Sequence, residues 1–256
     1  MQFTEFGKQD GKTLLLLPGT ACTWQLNFKN VADELAEKYH LIAVNYDGFE
    51  GDGAVVFPDM LTVTEKIEDY LLEKHGGRVD GAYGSSLGGS FVGQLIQRKN
   101  VHLDHGIFGS SDLDQSGRLS AWLQSKLVVP LLTGFTGSEK KKAKTKEKLK
   151  SLFEMNDEAA DQFMACFAQF SPESIKNEYY TDLITWLEED IHVEHTKAHF
   201  IYASKMGEKY LKRYKKYFRD PDIREFDMQH EQWLFGGEKY AVPVLKAIDE
   251  FMEMPV

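Results

Sequence analysis

The stretch GAYGSSLGGS, Gly81 to Ser90, carries the residue types and spacing in this chain that most directly suggest chemistry. Within it, Gly84 to Gly88 fit the pattern G-x-S-x-G, with Ser86 at the centre. A serine in this pattern is held in a sharp turn between a strand and a helix, so its neighbours two positions away must be small. The N-terminus of the helix directs free N–H groups and a positive dipole end at whatever the serine attacks. The pattern therefore predicts that Ser86 is a nucleophile.

A serine hydroxyl is a weak nucleophile and needs an adjacent base. The predicted base is His230, which lies in the stretch REFDMQHEQWL just beyond the last predicted strand. Catalytic groups of open α/β sheets gather at the carboxyl ends of the strands, where Ser86 is also expected. His192, His195 and His199 form H-x-x-H-x-x-x-H, a spacing that resembles a metal-ligand cluster, but the segment runs directly into a predicted strand. We therefore expect no metal site and no cofactor.

The elements that must position these residues follow from apolar periodicity. The runs TLLLLPG, HLIAVN, RVDGAYG and DHGIFGS predict strands, and amphipathic segments between them predict helices. One helix is predicted over NFKNVADELAEKY. Another is predicted over TVTEKIEDYLLEKHGG, with Thr62 and Glu65 as a capping box and Gly76 as its end. Alternating strands and helices predict an α/β fold with a mostly parallel sheet covered by helices on both faces.

The alternation stops near Leu113 and resumes near His195, with HFIYAS, a helix, the strand IREFDM and a final helix. We therefore predict a core made of residues 1–112 and 196–256 and a helical cap insertion over residues 113–195. The aromatic residues of the insertion are candidates for an apolar substrate pocket. They are Trp122 and Trp186, which we expect to bind substrate, and Phe135, Phe163, Phe167 and Phe170.

Composition limits the partners and the compartment. The chain has 256 residues and a formal net charge of −10, which argues against nucleic acid or an anionic membrane as the main partner. Two cysteines, Cys22 and Cys166, cannot form a disulfide framework and are interpreted as small buried side chains. With no apolar signal core near the N-terminus, we expect a cytoplasmic protein. The run EKKKAKTKEKLK predicts a solvated helix, or alternatively a basic patch for anionic substrates, and the sequence leaves a homodimer open.

Taken together, these motifs resemble the α/β-hydrolase family over nearly the whole chain. The resemblance rests on LLLLPGTACTW as the oxyanion loop, NYDGFEGDG in place of a glycine-rich loop, the turn at Ser86, the helical insertion and His230. It implies an α/β-hydrolase fold and serine hydrolysis of an acyl bond. It also implies an oxyanion hole formed by the backbone N–H groups of Thr20 and Leu87.

The sequence departs from the family pattern at the acid that should orient His230. The usual place for this acid, shortly after the strand HFIYA, holds Met206. Asp112 is the first alternative, because it follows the strand HGIFGS at the same edge of the sheet, although it would also suit a helix N-cap. Glu208 is the second and Asp114 the third, and all three keep the chain order serine, acid, histidine.

The resulting expectation is a serine hydrolase that acts on a small carboxylic ester or related acyl substrate through a Ser-His-acid triad and an acyl-enzyme. A thioesterase, a lyase or a cofactor-independent peroxidase could use the same fold. The alternative from another class is a catalytically degenerate hydrolase that binds or senses a small ligand, and Met206 at the acid position favours it.

Overall fold

The structure, a computed structural model, describes residues 1–50, 55–133 and 138–256. Phe135 and the last three residues of the NYDGFEGDG loop motif, 51–53, lie outside the described residues. The described residues form one seven-stranded sheet in the order β1-β3-β2-β4-β5-β6-β7. The strands are β1 Gln2–Gly7, β2 Thr13–Leu17, β3 His40–Asn45, β4 Arg78–Ser85, β5 His102–Gly109, β6 Lys197–Ala203 and β7 Asp222–Phe226. Strand β1 is antiparallel to β3, and every other pairing is parallel.

Ten α-helices accompany the sheet in the described part of the chain. They are α1 Trp24–Asn27, α2 Ala32–Ala36, α3 Met60–His75, α4 Gly88–Arg98, α5 Arg118–Thr133, α6 Glu139–Phe153, α7 Asp157–Ala168, α8 Pro172–Ile184, α9 Lys209–Tyr217 and α10 Glu238–Met252. Four of them, α5 to α8, lie between β5 and β6, where the sequence predicts helices without strands. Among the helices described, none is long and apolar enough to cross a bilayer.

Helices cover both faces of the sheet because the strand side chains alternate between two apolar layers. In β2, Leu15 and Leu17 pack into a layer with α3, α4 and α9, whereas Leu14 and Leu16 pack into a layer with α2 and α10. All four leucines are fully buried, which is the pattern of a central parallel strand. The predicted α/β fold with a mostly parallel, doubly covered sheet is confirmed.

The start of helix α3 differs from the sequence prediction, whereas its end agrees with it. Helix α3 begins after Asp59, whose carboxylate accepts the backbone N–H of Thr62 at 2.9 Å. The predicted capping box with Thr62 as the N-cap is therefore wrong, because an aspartate three residues earlier already satisfies that donor. The end of α3 at Gly76 is confirmed, and this residue adopts a left-handed φ of 61°.

Two further differences concern short elements near the N-terminus. The single helix predicted over NFKNVADELAEKY is two short helices, α1 and α2, separated by a turn. Strand β1 is absent from the sequence prediction because it lies at the sheet edge, where most of its side chains stay exposed or half-buried. It therefore lacks the continuous apolar run that marks the central strands.

A buried polar chain crosses three neighbouring strands. The Nδ1 atom of His105 on β5 lies 3.1 Å from Nε2 of His199 on β6, and Nδ1 of His199 lies 3.1 Å from a carboxylate oxygen of Asp222 on β7. His199 is 0% exposed. Burial lowers the pKa of His199 to about 4, although its hydrogen bond to the carboxylate of Asp222 acts in the opposite direction. The neutral imidazole is therefore the form that packs in the sheet.

This burial makes stability depend on pH in a defined direction. Because the pKa of His199 is about 4 in the folded protein and about 6.5 when unfolded, the unfolded chain binds more protons between these values. We expect the free energy of unfolding to be fully maintained above about pH 6.5 and to fall as the pH is lowered towards 4. In denaturant melts across this range, His199→Gln should reduce the slope, whereas His192→Gln, at an exposed position, should keep it. An unchanged slope in His199→Gln would contradict this assignment.

Candidate active site

The turn between β4 and α4 holds Ser86 in a left-handed conformation, with a φ of 51°. A side chain other than glycine in this region costs on the order of 1–3 kcal/mol, so the surrounding structure must enforce it. The backbone N–H of Ser86 donates to the carbonyl oxygen of Gly109 at the end of β5, at 2.8 Å. This bond fixes the serine at the carboxyl edge of the sheet.

Glycines are required where the turn brings three backbone segments together. A Cβ atom on Gly84 would lie 2.3 Å from the carbonyl group of Gly88. A Cβ atom on Gly88 would lie 2.2 Å from the carbonyl oxygen of Leu17 on β2. Both distances are far below any van der Waals contact, so only glycine allows β4, α4 and β2 to meet behind Ser86.

The structure brings Ser86 and His230 together across the sheet edge. The Nε2 atom of His230 lies 2.9 Å from the Oγ atom of Ser86, within hydrogen-bond reach for proton transfer. His230 occupies the turn that follows β7 and precedes a 3-10 turn at Gln232–Leu234. The geometry matches that of a nucleophile and its general base.

Two backbone N–H groups beside this pair are free to bind an oxygen atom. Among the described residues, neither the N–H of Thr20 nor that of Leu87 has a hydrogen-bond acceptor. Thr20 lines the same cavity as Ser86, and Leu87 directly precedes helix α4. These are the two donors that the resemblance assigns to an oxyanion hole.

The loop that carries Thr20 is anchored on both sides. The N–H of Gly19 donates to the side-chain oxygen of Asn27 at 2.6 Å. The N–H of Ala21 donates to the carboxyl group of Glu178 on α8 at 2.9 Å, and Ala21 has a φ of 51°. Because the N–H groups of Gly19 and Ala21 are both hydrogen-bonded, the N–H of Thr20 between them is the one that stays free among these three described residues.

A cavity of about 220 Å³ opens beside Ser86 and His230. Its wall combines the loop that carries Thr20 with side chains from α5, α7, α8 and the turn after β7. Besides Ser86 and His230, it is lined by Gly19, Thr20, Cys22, Asn27, Ser85, Val128, Phe163, Cys166, Phe167, Tyr179, Glu231 and Phe235. The wall is predominantly apolar, which suits an uncharged ligand.

The predicted pocket aromatics separate into three groups. Phe163 and Phe167 line the cavity, as expected. Trp122 and Trp186 do not line it: they are 41% and 61% exposed, because they lie on the outer surface of the helical segment. Phe170 packs into the main apolar layer instead. Aromatic character alone did not distinguish the inner from the outer face of these helices.

None of the three predicted acids contacts the ring of His230. Among the residues described, the one hydrogen bond of His230 goes to Ser86. The carboxylate of Asp114 pairs with Arg213 at 2.9 Å, and the exposed Glu208 lies at the start of α9. Asp112 is close enough that His230 opposes the rise in its pKa caused by burial. Asp112 is thus the nearest of the three in electrostatic terms but forms no bond to the imidazole.

Asp112 also does not act as the N-cap of the insertion. Helix α5 begins only at Arg118, and the backbone carbonyl of Asp112 is held by Nη1 of Arg213 at 2.8 Å. Met206 lies in a 3-10 turn at Ser204–Met206 and packs against the apolar layer below the sheet edge. An apolar side chain therefore occupies the position where the family pattern has an acid.

The three histidines of the H-x-x-H-x-x-x-H pattern line one surface pocket but differ in burial. His199 is buried in β6, whereas His192 and His195 are exposed in the segment before it. In the described residues, no group of three histidine, cysteine or acidic side chains is arranged to hold a metal ion.

The sequence analysis missed several buried carboxyl groups around the site. Glu178 and Asp182 are one helical turn apart on α8 and both are buried, and each has one oxygen without a hydrogen-bond partner among the described residues. Burial and the charge of Asp112 raise the pKa of Asp182 to about 8. Glu231, next to His230, is also buried. Only its adjacency to the histidine could have marked Glu231 in the sequence.

The raised pKa of Asp182 predicts that its ionisation destabilises the fold. Folding favours the neutral acid, so the free energy of unfolding should fall as the pH rises from about 4, the unfolded pKa, to about 8. We expect Asp182→Asn to raise the melting temperature at pH 8 and to have less effect at pH 5. A gain of 1 kcal/mol would correspond to about 2–4 °C in a protein of this size. Exposed Asp220→Asn is the control, and equal effects of Asp182→Asn at both pH values would contradict the assignment.

Sequence comparison finds no matching family model and no matching curated protein. Solved structures do match over nearly the whole chain. An alpha/beta hydrolase family protein from Desulfitobacterium hafniense aligns with a TM-score of 0.73 and 17% identity, covering 96% of this chain and 99% of that one. A thermophilic esterase from Thermogutta terrifontis aligns with a TM-score of 0.73 and 13% identity, covering 98% and 93%.

A third match is the type II thioesterase BorB from the borrelidin biosynthetic cluster, with a TM-score of 0.67, 16% identity and coverage of 98% and 97%. Together with the strand order and the turn at Ser86, these matches show that the chain has the α/β-hydrolase fold. Because a fold hosts many chemistries, the activity must be argued from the site itself.

Proposed function

We propose that the protein is a serine hydrolase that acts on small carboxylic esters or related acyl substrates. The observation that carries the proposal is the 2.9 Å contact between His230 Nε2 and Ser86 Oγ at the wall of an apolar cavity. A strained serine, a base in hydrogen-bond reach and free backbone donors are the parts that acyl transfer requires. Esterases and a thioesterase among the structural matches agree with this chemistry.

The reaction follows from the positions of these groups. His230 Nε2 accepts the proton of Ser86 as Oγ attacks the substrate carbonyl carbon. The N–H groups of Thr20 and Leu87 bind the oxyanion, an effect worth about 3–4 kcal/mol per donor in other enzymes. His230 then protonates the leaving alcohol, and a water molecule hydrolyses the acyl-enzyme by the same route. No cofactor is required for any of these steps.

The size and lining of the cavity support a small acyl group. At about 220 Å³ it lies below the roughly 300–1,000 Å³ of pockets for drug-sized ligands. Phe163, Phe167 and Phe235 supply apolar walls without a charged group that would pair with an anionic acyl chain. We therefore propose short, uncharged acyl chains as the preferred substrates.

A second candidate is a ligand-binding protein that has retained the fold but lost efficient turnover. The observation that favours it is the absence, among the described residues, of a carboxylate bonded to the ring of His230. Without such a partner the imidazolium is less stabilised and the ring is less well oriented. Reactivity of Ser86 separates the two candidates.

We expect Ser86 to form a covalent adduct with a fluorophosphonate probe, because the left-handed turn exposes its Oγ atom to the base and the free N–H donors. Peptide mass spectrometry should locate the adduct on Ser86. Ser86→Ala should abolish labelling, whereas Ser120→Ala, at an exposed position on α5, should retain it. A folded wild-type protein that remains unlabelled over hours would support the ligand-binding candidate.

We expect His230→Ala to reduce the turnover of a short-chain p-nitrophenyl ester by about 10³-fold or more, since the base is removed while the cavity remains. His192→Ala, at an exposed position, should keep wild-type rates. Circular dichroism and melting temperature establish that both variants are folded. Wild-type turnover in folded His230→Ala would exclude this residue as the base.

A further inference from the structure

Glu231 is a buried carboxyl group next to the proposed base. Its side chain is 4% exposed, and the residue lines the same cavity as Ser86 and His230. Its backbone adopts a left-handed φ of 51°, and its N–H donates to Oγ of Ser110 at 3.1 Å. A buried acid is costly to folding unless other groups compensate it, so its surroundings indicate what it does.

Hydrogen bonds around Glu231 favour its ionised form. Its Oε2 atom accepts from the hydroxyl of Ser85 at 2.6 Å and from that of Tyr83 at 3.0 Å. The indole N–H of Trp233, which can only donate, lies 3.0 Å from the Tyr83 oxygen. The single hydroxyl proton of Tyr83 must therefore point towards Glu231. Two hydroxyl donors on one oxygen suit a carboxylate acceptor.

The charge of Glu231 is paired with no lysine or arginine in the described part of the chain. Burial raises its pKa, and His230 is the ionisable group that opposes this rise. The remaining Oε1 atom is buried without a hydrogen-bond partner among the described residues. The nearest cationic group that can form is therefore the imidazolium of His230.

Asp112 differs from Glu231 in this respect. It is only partly buried, and its carboxylate also interacts electrostatically with the cation Arg213 and with Asp114. Asp182 on α8 adds a further buried acid whose pKa is raised, and Tyr179 lines the cavity as a neutral phenol. Of the carboxyl groups that face His230, Glu231 is the one held in place by two hydroxyl donors and unshared with an arginine.

We propose that Glu231 is the positioning residue that takes over the role of the acid missing at Met206. It acts through space and through the turn that it shares with His230, not through a bond to the ring. When His230 takes the proton of Ser86, the fixed negative charge of Glu231 stabilises the imidazolium in a buried, low-dielectric site. Ser85 and Tyr83 hold the carboxylate for this purpose. The inference rests on the proposed hydrolase function.

This role predicts opposite effects on activity and stability. Removing a buried, unpaired charge while keeping the side-chain shape relieves a desolvation cost. Glu231→Gln keeps an oxygen acceptor for Ser85 and Tyr83, so the variant should fold and melt at or above the wild-type temperature. A merely structural role would instead lower the melting temperature and leave the pH profile unchanged.

The test compares Glu231→Gln with the matched variants Asp112→Asn and Glu208→Gln, using a short-chain p-nitrophenyl ester from pH 4.5 to 9. For Glu231→Gln we expect kcat to fall about 10–100-fold with KM within about threefold, since the charge acts in the transition state. Loss of the carboxylate makes the protonated form of the base less favourable, so the acid limb of kcat/KM should move down by about 1 pH unit. Glu208→Gln should match wild type, and Asp112→Asn should show the smaller loss.

Three results would overturn the proposal: kcat of Glu231→Gln within twofold of wild type, an unmoved acid limb, or a variant that melts lower or fails to fold. Failure of the hydrolase function is a separate result, namely a wild-type protein without turnover or probe labelling. In that case NMR titration of His230 in wild type and Glu231→Gln still measures the charge coupling, and equal pKa values would overturn the inference.

Discussion

The sharp turn at Ser86 is the constraint on which the rest of the site depends. It forces the backbones of β2, β4 and α4 into direct contact, which only Gly84 and Gly88 permit. The N–H of Ser86 donates to the carbonyl oxygen of Gly109 on β5, so the serine is fixed relative to three neighbouring strands. Its neighbour Leu87 consequently presents a free N–H at the start of a helix, where the dipole favours a developing negative charge.

Four acids that are buried or half-buried lie around this turn. Glu178 contacts the oxyanion loop, Asp182 and Asp112 follow along the junction between the sheet and α8, and Glu231 lies beside His230. Burial raises the pKa of each of the four carboxyl groups. The low dielectric that makes them costly to the fold also strengthens their interaction with an imidazolium.

Helices α5 to α8 contribute to this site from a distance in sequence. Glu178 on α8 sets the oxyanion loop, and side chains of α5, α7 and α8 close the cavity over Ser86. The two cysteines both line the cavity, interact with each other and are buried, as expected for small apolar side chains. The cavity is thus shared between the sheet edge and the helices, and substitutions in either part would change its shape.

The sequence by itself determined the order of the parallel strands, the doubly covered sheet, and the meeting of Ser86 with His230. These follow from local signals: continuous apolar runs, helical periodicity, and the glycines that a sharp turn requires. Only the tertiary structure decided which carboxyl groups are buried near His230, which aromatics face the cavity, and where β1 pairs. Asp112, Glu231 and Trp122 are each compatible with several roles in sequence, because burial and charge interactions depend on residues far apart in the chain. Contacts between distant residues produce no periodic pattern in the sequence, so only the packing of the folded chain shows which role each residue has.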